Sequence, residues 1–195
     1  MLSSDSDSAN KAAMQDLVRG YQKCKSEEII DVVIRRKKIW NCTISTIRTQ
    51  KDFNFLKVPH VHFSGEEAVD LGGPKREYFW LITQKLHQVG VFEGHGDRLL
   101  FTHDIDLLQK EFYRHAGQVI AWSVLHGGPG YPHIHPGLLK MMCGLNPGHI
   151  EHSDIVDESV SPKLAMIANI QTDLDARDAI SAVGDWAASN GCNRI

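Results

Sequence analysis

The sequence predicts an α+β fold that is mainly α-helical and carries a few short β-strands. Two short segments with the composition or alternation of strands, Glu28–Arg35 and Val58–Phe63, predict the strands. Apolar residues at three- and four-residue spacing, between turns rich in glycine and proline, predict helices along most of the remaining chain. With 195 residues, of which 42% are hydrophobic, the chain can bury one sizeable core.

The two predicted strands differ in pattern. Glu28–Arg35 contains a cluster of β-branched residues, whereas Val58–Phe63 alternates. In the second strand, Val58, His60 and His62 share one face, and Pro59, Val61 and Phe63 share the other. Pro59 lies near the start of that strand, where a missing backbone donor is tolerated.

Helices are predicted in the remaining periodic segments. The segment with Ile39, Thr43 and Ile47 follows the basic run 35–38, which fits a solvated helix start better than a nucleic-acid patch. Pro74 begins a helix that ends near Val89-Gly90. Asp104 or Asp106 begins one long helix to His126, whose predicted inner face is Leu108, Phe112, Ala116, Val119, Ile120 and Val124.

Three more helices complete the prediction. They cover Pro136–Met142, residues 161–170, and a segment capped by Thr172 and Asp175. The inward residues predicted for the last helix are Ile180, Val183, Trp186 and Ala187.

Charge and composition exclude several classes of function. The net charge of −3 and the pI of about 6.4 give no reason to expect nucleic-acid or acidic-membrane binding. No apolar run approaches a membrane span, no secretory signal is visible, and no cofactor motif is found, so no cofactor is expected. Four scattered cysteines without a C-x-x-C pair fit a reducing compartment, so an intracellular location, cytoplasmic or nuclear, is expected.

Residues 1–25 are polar and predict a disordered or loosely helical segment before the domain at 26–195.

Residues 61–79 carry the most information. They predict a strand, a tight acidic and glycine-rich turn, and a helix. Adjacent Gly72 and Gly73 permit backbone angles that other residues avoid, and Arg76 is placed to pair with Glu66 or Asp70. The turn lacks the order of a phosphate-binding loop and carries three carboxylates, so a structural role is favoured over phosphate binding or acid–base chemistry.

This stretch resembles the early N-lobe of HECT-type ubiquitin ligases. The resemblance is carried by the following residues: Phe63, Gly65, Glu66, Asp70, Gly72, Gly73, Pro74, Arg76, Glu77, Tyr78 and Phe79. Val33–Arg36 upstream agrees, and residues 112–121 and 138–144 agree more weakly. The resemblance implies a partial HECT N-lobe over 26–195 without a C-lobe. It implies a ubiquitin-conjugating enzyme and ubiquitin as partners of the full-length protein, with a protein substrate that the sequence does not name. It makes Glu66, Asp70, Gly72, Gly73, Arg76 and Glu77 structural residues.

The family transfers ubiquitin through a C-lobe cysteine in a Thr-Cys-Phe-like strand. This chain has no Thr-Cys or Ser-Cys pair, and only three residues follow Cys192. Cys143 and Cys42 lie on predicted apolar helices and are expected to be buried. We therefore expect no transfer cysteine here and an inactive chain on its own; the alternative is a noncatalytic interaction module derived from such a lobe.

Histidine is abundant, with 11 residues, and supports a third interpretation. The spacing of His133 and His135 suits two ligands on one strand, which makes them weak candidates for a metal site. No H-E-x-x-H or facial-triad pattern is visible. His60 and His62, which alternate on a strand, are expected to be surface or hydrogen-bonded core residues. No functional metal is therefore expected, and a His-rich metal-binding protein ranks below the other two interpretations.

Overall fold

The computed structural model describes residues 15–16, 18–66, 72–148 and 150–189. It confirms an α+β fold that is mainly helical with short strands. The chain divides into two compact units. The first holds the described residues up to Phe92 together with Thr102–Pro132, and the second holds Glu93–Phe101 and the described residues from His133 onward. No described helix has the length and apolar character needed to cross a membrane.

A two-stranded parallel sheet opens the first unit. Strand β1 (Ile29–Ile34) pairs with β2 (Val58–Phe63) in register, from Ile29 opposite Val58 to Ile34 opposite Phe63. A 3₁₀ turn at Arg36–Lys38 and helix α1 (Ile39–Thr49) cross between the strands. Both strands bury every second residue, which confirms the predicted faces of β2.

Three further helices of the described residues lie in the first unit. They are α2 (Gly73–Leu86), α3 (Ile105–Gln109) and α4 (Phe112–Leu125). Pro74 lies in the first turn of α2, as predicted. The core centres on Trp122 of α4, whose ring packs at 5.9 Å from Tyr78 and 5.6 Å from Phe79 of α2.

The prediction of one helix from Asp104 to His126 is wrong. Asp104 does cap a helix, since its carboxylate accepts the Leu107 N–H at 2.9 Å. That helix, α3, ends at Gln109, and Glu111 adopts the left-handed conformation with φ 60° before α4 begins. The break leaves Leu108, predicted to face inward, 64% exposed. The buried residues of α4 are His115, Ala116, Val119, Trp122 and Ser123.

In the second unit, strands β3 (Phe92–His95, whose first residue belongs to the first unit) and β4 (Arg98–Phe101) form a two-stranded sheet that the sequence did not predict. Helix α5 (Pro136–Met142), a 3₁₀ turn at His152–Asp154, and helices α6 (Ser161–Ala168) and α7 (Asp173–Ser189) follow.

The predicted start of α7 is confirmed. Thr172 Oγ1 accepts the Asp175 N–H at 3.1 Å, and the Asp175 carboxylate accepts the Thr172 N–H at 2.9 Å. Val183 and Ala187 are buried as predicted. Ile180 is 49% exposed, so its predicted inward position is wrong.

Candidate functional site

One arginine joins the two carboxylates of the signature region. The Arg36 guanidinium donates to both oxygens of Glu66, at 2.5 and 2.9 Å, and to both oxygens of Glu77, at 2.6 and 3.0 Å. Its carbon Cζ lies 3.9 Å from the centre of the Phe63 ring. We call Arg36, Phe63, Glu66 and Glu77 the arginine clamp. It ties together the turn after β1, the end of β2 and the first part of α2.

In the arginine clamp, Arg36 stabilises the charged forms of the two glutamates, and they stabilise the charged form of Arg36. Hydrogen bonds from Arg36 hold the pKa values of Glu66 and Glu77 below the ordinary range of glutamate. The two carboxylates in turn raise the pKa of Arg36. All three groups are therefore charged at neutral pH, and the paired Arg–carboxylate geometry fixes their relative orientation.

The partner predicted for Glu66 is wrong, because Arg36 holds this carboxylate in place of Arg76. Parallel pairing explains the difference: Arg36 follows β1 at the same end of the sheet where Glu66 follows β2. Asp70, the other predicted partner, lies outside the described residues. Gly72 adopts φ 93°, a conformation that glycine reaches without strain, directly before α2 starts at Gly73.

Tyr78 anchors the same segment in the core. Its side chain is fully buried, and its hydroxyl lies 2.9 Å from the hydroxyl of Thr43 on α1. Since Thr43 donates to the Ile39 carbonyl at 2.9 Å, Tyr78 donates to Thr43. Burial raises the pKa of Tyr78, so the phenol stays protonated and acts as a structural hydrogen-bond donor.

Comparison with known proteins connects this architecture to one family. The chain is 25% identical over 167 residues to the human G2/M phase-specific E3 ubiquitin-protein ligase, covering 83% of the chain and 23% of that relative. It is 29% identical over 96 residues to the human probable E3 ubiquitin-protein ligase HERC4, covering 48% and 9%. It is 27% identical over 135 residues to the mouse E3 ubiquitin-protein ligase HECW1, covering 60% and 8%.

Over about half to most of its length, the chain is similar to HECT-type E3 ubiquitin ligases. No family model matches it. The chain spans about a quarter or less of the length of these HECT relatives. Residues 74–79, Pro-Lys-Arg-Glu-Tyr-Phe, predicted a resemblance to the ligases related to the G2/M phase-specific ligase, and that ligase is among the matches.

Three of the four cysteines lie in the described part of this HECT-like chain. Cys24 and Cys143 are exposed, and Cys42 is half-buried in α1. The expectation that Cys143 and Cys42 are buried is therefore wrong. Cys143 follows α5, whose last residues Met141 and Met142 are each 54% exposed, so this end of the helix lies at the surface of the unit. Cys192 lies outside the described residues.

His133 and His135 have different partners. His133 Nδ1 lies 2.5 Å from the Asp97 carboxylate. His135 is buried; its Nδ1 accepts the Gly137 N–H at 2.9 Å, and its Nε2 lies 3.3 Å from the Asp154 carboxylate. His135 thus helps to hold the start of α5.

Within the described ranges, three potential metal-ligating side chains converge at one place. They are Asp31, His60 and His62, on the exposed face of the β1–β2 sheet. Sequence reasoning placed His60 and His62 on one face but missed Asp31, because the signal is the parallel register and not a local motif.

Replacing Arg36 by alanine is expected to destabilise the protein at pH 7, because it removes the cation shared by Glu66 and Glu77. Both glutamates have lowered pKa values in the folded state, so their ion pairs contribute above the unfolded pKa of about 4.3 and are lost as the pH falls further. The stability difference from the wild type should therefore shrink as the pH drops below that value. Urea unfolding at pH 7 and at lower pH measures it.

Lys37→Ala is the matched control, since Lys37 is an exposed cation in the same 3₁₀ turn. We expect its shift in urea midpoint to be several times smaller at pH 7. Equal shifts for the two variants at pH 7 would contradict a specific role for the arginine clamp.

Proposed function

We propose that this chain supplies the N-lobe-like scaffold of a HECT-type ubiquitin ligase and forms no ubiquitin thioester itself. The observation that carries this proposal is the arginine clamp, because it lies in the signature region that resembles the HECT N-lobe. The sequence match over 167 residues supports the same family role. By this proposal the chain binds a ubiquitin-conjugating enzyme and acts inside the cell, in the cytoplasm or the nucleus.

The settings of the described cysteines support a noncovalent role. A transfer cysteine needs an electropositive and accessible setting that favours the thiolate. Cys24 is exposed, but its Sγ donates to the Gly20 carbonyl at 3.4 Å. Cys143 caps the C-terminal end of α5. Neither of these cysteines, nor Cys42, stands in the Thr-Cys-Phe-like context of the family's transfer cysteine.

The test is a thioester assay with the whole chain. The chain is incubated with activating enzyme, ATP and a panel of ubiquitin-charged conjugating enzymes, and adducts are resolved with and without reductant. We expect no reductant-sensitive ubiquitin adduct on the chain, together with measurable binding of at least one conjugating enzyme by biolayer interferometry. Cys24→Ala, Cys42→Ala, Cys143→Ala and Cys192→Ala variants identify the site of any adduct. A thioester that disappears in one of them would overturn the noncovalent role.

A noncatalytic interaction module is the second candidate. The observation that favours it is the exposed apolar surface of α5 and the turn after it, formed by Leu139, Met141, Met142 and Leu145, which are 43–54% exposed in the described chain. The same binding experiment separates the two candidates. Failure to bind any conjugating enzyme of the panel would favour the interaction module over the ligase scaffold.

A further inference from the structure

The outer face of the β1–β2 sheet presents a carboxylate and two imidazoles side by side. Asp31 is directly opposite His60 in the parallel register, and His62 lies two residues further along the same face. The side chains of Asp31, His60 and His62 are 69%, 38% and 42% exposed. An ion from solution can therefore reach all three.

The three ligand atoms form a nearly equilateral triangle. His60 Nδ1 lies 2.9 Å from Asp31 Oδ1, His62 Nε2 lies 3.2 Å from the same oxygen, and the two nitrogens are 3.0 Å apart. Protons alone do not satisfy these contacts. With both nitrogens protonated, two donors face each other; with one protonated, an acceptor nitrogen faces the carboxylate oxygen. A metal cation accepts all three lone pairs at once.

The spacing also matches metal coordination. With metal–ligand bonds of about 2.0–2.1 Å, donor atoms about 3.0 Å apart subtend angles of about 90° at the metal. That is the facial arrangement of two histidines and one carboxylate on one side of an octahedron. An opening of each donor pair by about 0.3 Å, which the exposed side chains allow, gives the tetrahedral angles that Zn²⁺ prefers. The other positions stay open for water or for a donor from a bound partner.

We propose that Asp31, His60 and His62 form a binding site for a divalent transition-metal ion of the class that prefers imidazole, such as Zn²⁺. The site is held by two strands whose register is set by the buried residues Ile30, Val32 and Val61 on the opposite face. It is independent of the proposed ligase role, since no residue of the arginine clamp belongs to it.

The His133–Asp97 pair provides an internal comparison. It has the same two chemical groups in contact, but the described residues bring no third ligand to it. Two ligands bind a transition metal more weakly than three. His133→Gln is therefore the matched control for a variant of the proposed site.

Isothermal titration of the whole chain with Zn²⁺ tests the proposal. We expect one high-affinity ion per chain, and at least a tenfold loss of affinity in His62→Gln and in Asp31→Asn. His133→Gln should bind as the wild type does. Titration with Co²⁺ gives a second readout, because its visible spectrum reports coordination by imidazole nitrogen and the number of ligands.

Thermal unfolding shows whether each variant is folded. Each variant should unfold cooperatively without metal, since all three side chains are exposed and none belongs to the core. Zn²⁺ should raise the unfolding midpoint of the wild type and of His133→Gln, and not that of His62→Gln. Zn²⁺ affinity that is unchanged in His62→Gln, or lost in His133→Gln, would overturn the proposal, as would the absence of binding to the wild type.

Discussion

Trp122→Ala is expected to lower the free energy of unfolding by about 3–5 kcal/mol, the range for deleting a large buried aromatic side chain. Trp122 is 1% exposed, and its ring contacts Phe53, Tyr78 and Phe79 at centroid distances of 5.4–5.9 Å. These neighbours come from two separate segments of the first unit, the loop after α1 and helix α2, so they cannot all move in to fill the cavity. Urea unfolding followed by far-UV circular dichroism measures the loss.

Trp122→Phe is the control for this variant. The buried indole Nε1 of Trp122 has no hydrogen-bond partner among the described residues, so removing it leaves no described acceptor unsatisfied. Phenylalanine keeps most of the aromatic contact and should cost less than half as much as alanine. An alanine variant as stable as the phenylalanine variant would show that Trp122 is not the centre of the core.

Gly128→Ala is expected to destabilise the protein by about 1–3 kcal/mol through overpacking. A β-carbon at Gly128 would lie 2.8 Å from Cβ of Phe79 and even closer to the Ser123 hydroxyl. The Gly128 N–H donates to the Ser123 carbonyl at 2.7 Å, so the backbone is held against α4 and cannot easily withdraw. Gly128 does not have a positive φ, so the cost is steric and not conformational. The midpoint of urea unfolding measures it.

Gly117→Ala is the matched control and should have the opposite sign. Gly117 lies on the exposed side of α4, and a β-carbon there meets no atom within 4 Å. Alanine is a better helix former than glycine, so a gain of about 0.5–1 kcal/mol is expected. The close contact at Gly128 would be refuted if the two substitutions changed stability in the same direction.

Local sequence patterns correctly predicted the helix starts and the strand face that depend on interactions between residues close in the chain. The alternation in Val58–Phe63 gave the buried face of β2, Pro74 marked the start of α2, and Thr172 with Asp175 marked the start of α7. The break at Glu111 has no such signal, because a left-handed glutamate replaces the glycine or proline that normally marks an interruption. Strands β3 and β4 have four residues each, too few for alternation to show.

The candidate sites depended on information that no single segment contains. Glu66 and Glu77 were predicted to be structural, but their partner Arg36 follows another strand. Likewise, His60 and His62 were placed on one face, yet Asp31 reaches them only through the parallel register. A register between strands is set by the packing of the whole unit, and the pattern of a single sequence does not reveal it.

Parallel strands also constrain the order in which the chain folds. No tight turn can join β1 to β2, so residues 35–57, including α1, must cross the sheet before the strands can pair. Closing that loop costs conformational entropy before the hydrogen bonds between β1 and β2 can form and compensate for it. We therefore expect the sheet to form after local helices such as α4. Contacts that form after the rate-limiting step slow unfolding and leave the refolding rate nearly unchanged. The arginine clamp and the cluster of Asp31, His60 and His62 both require the completed sheet, so substitutions in either are expected to raise the unfolding rate more than they lower the refolding rate.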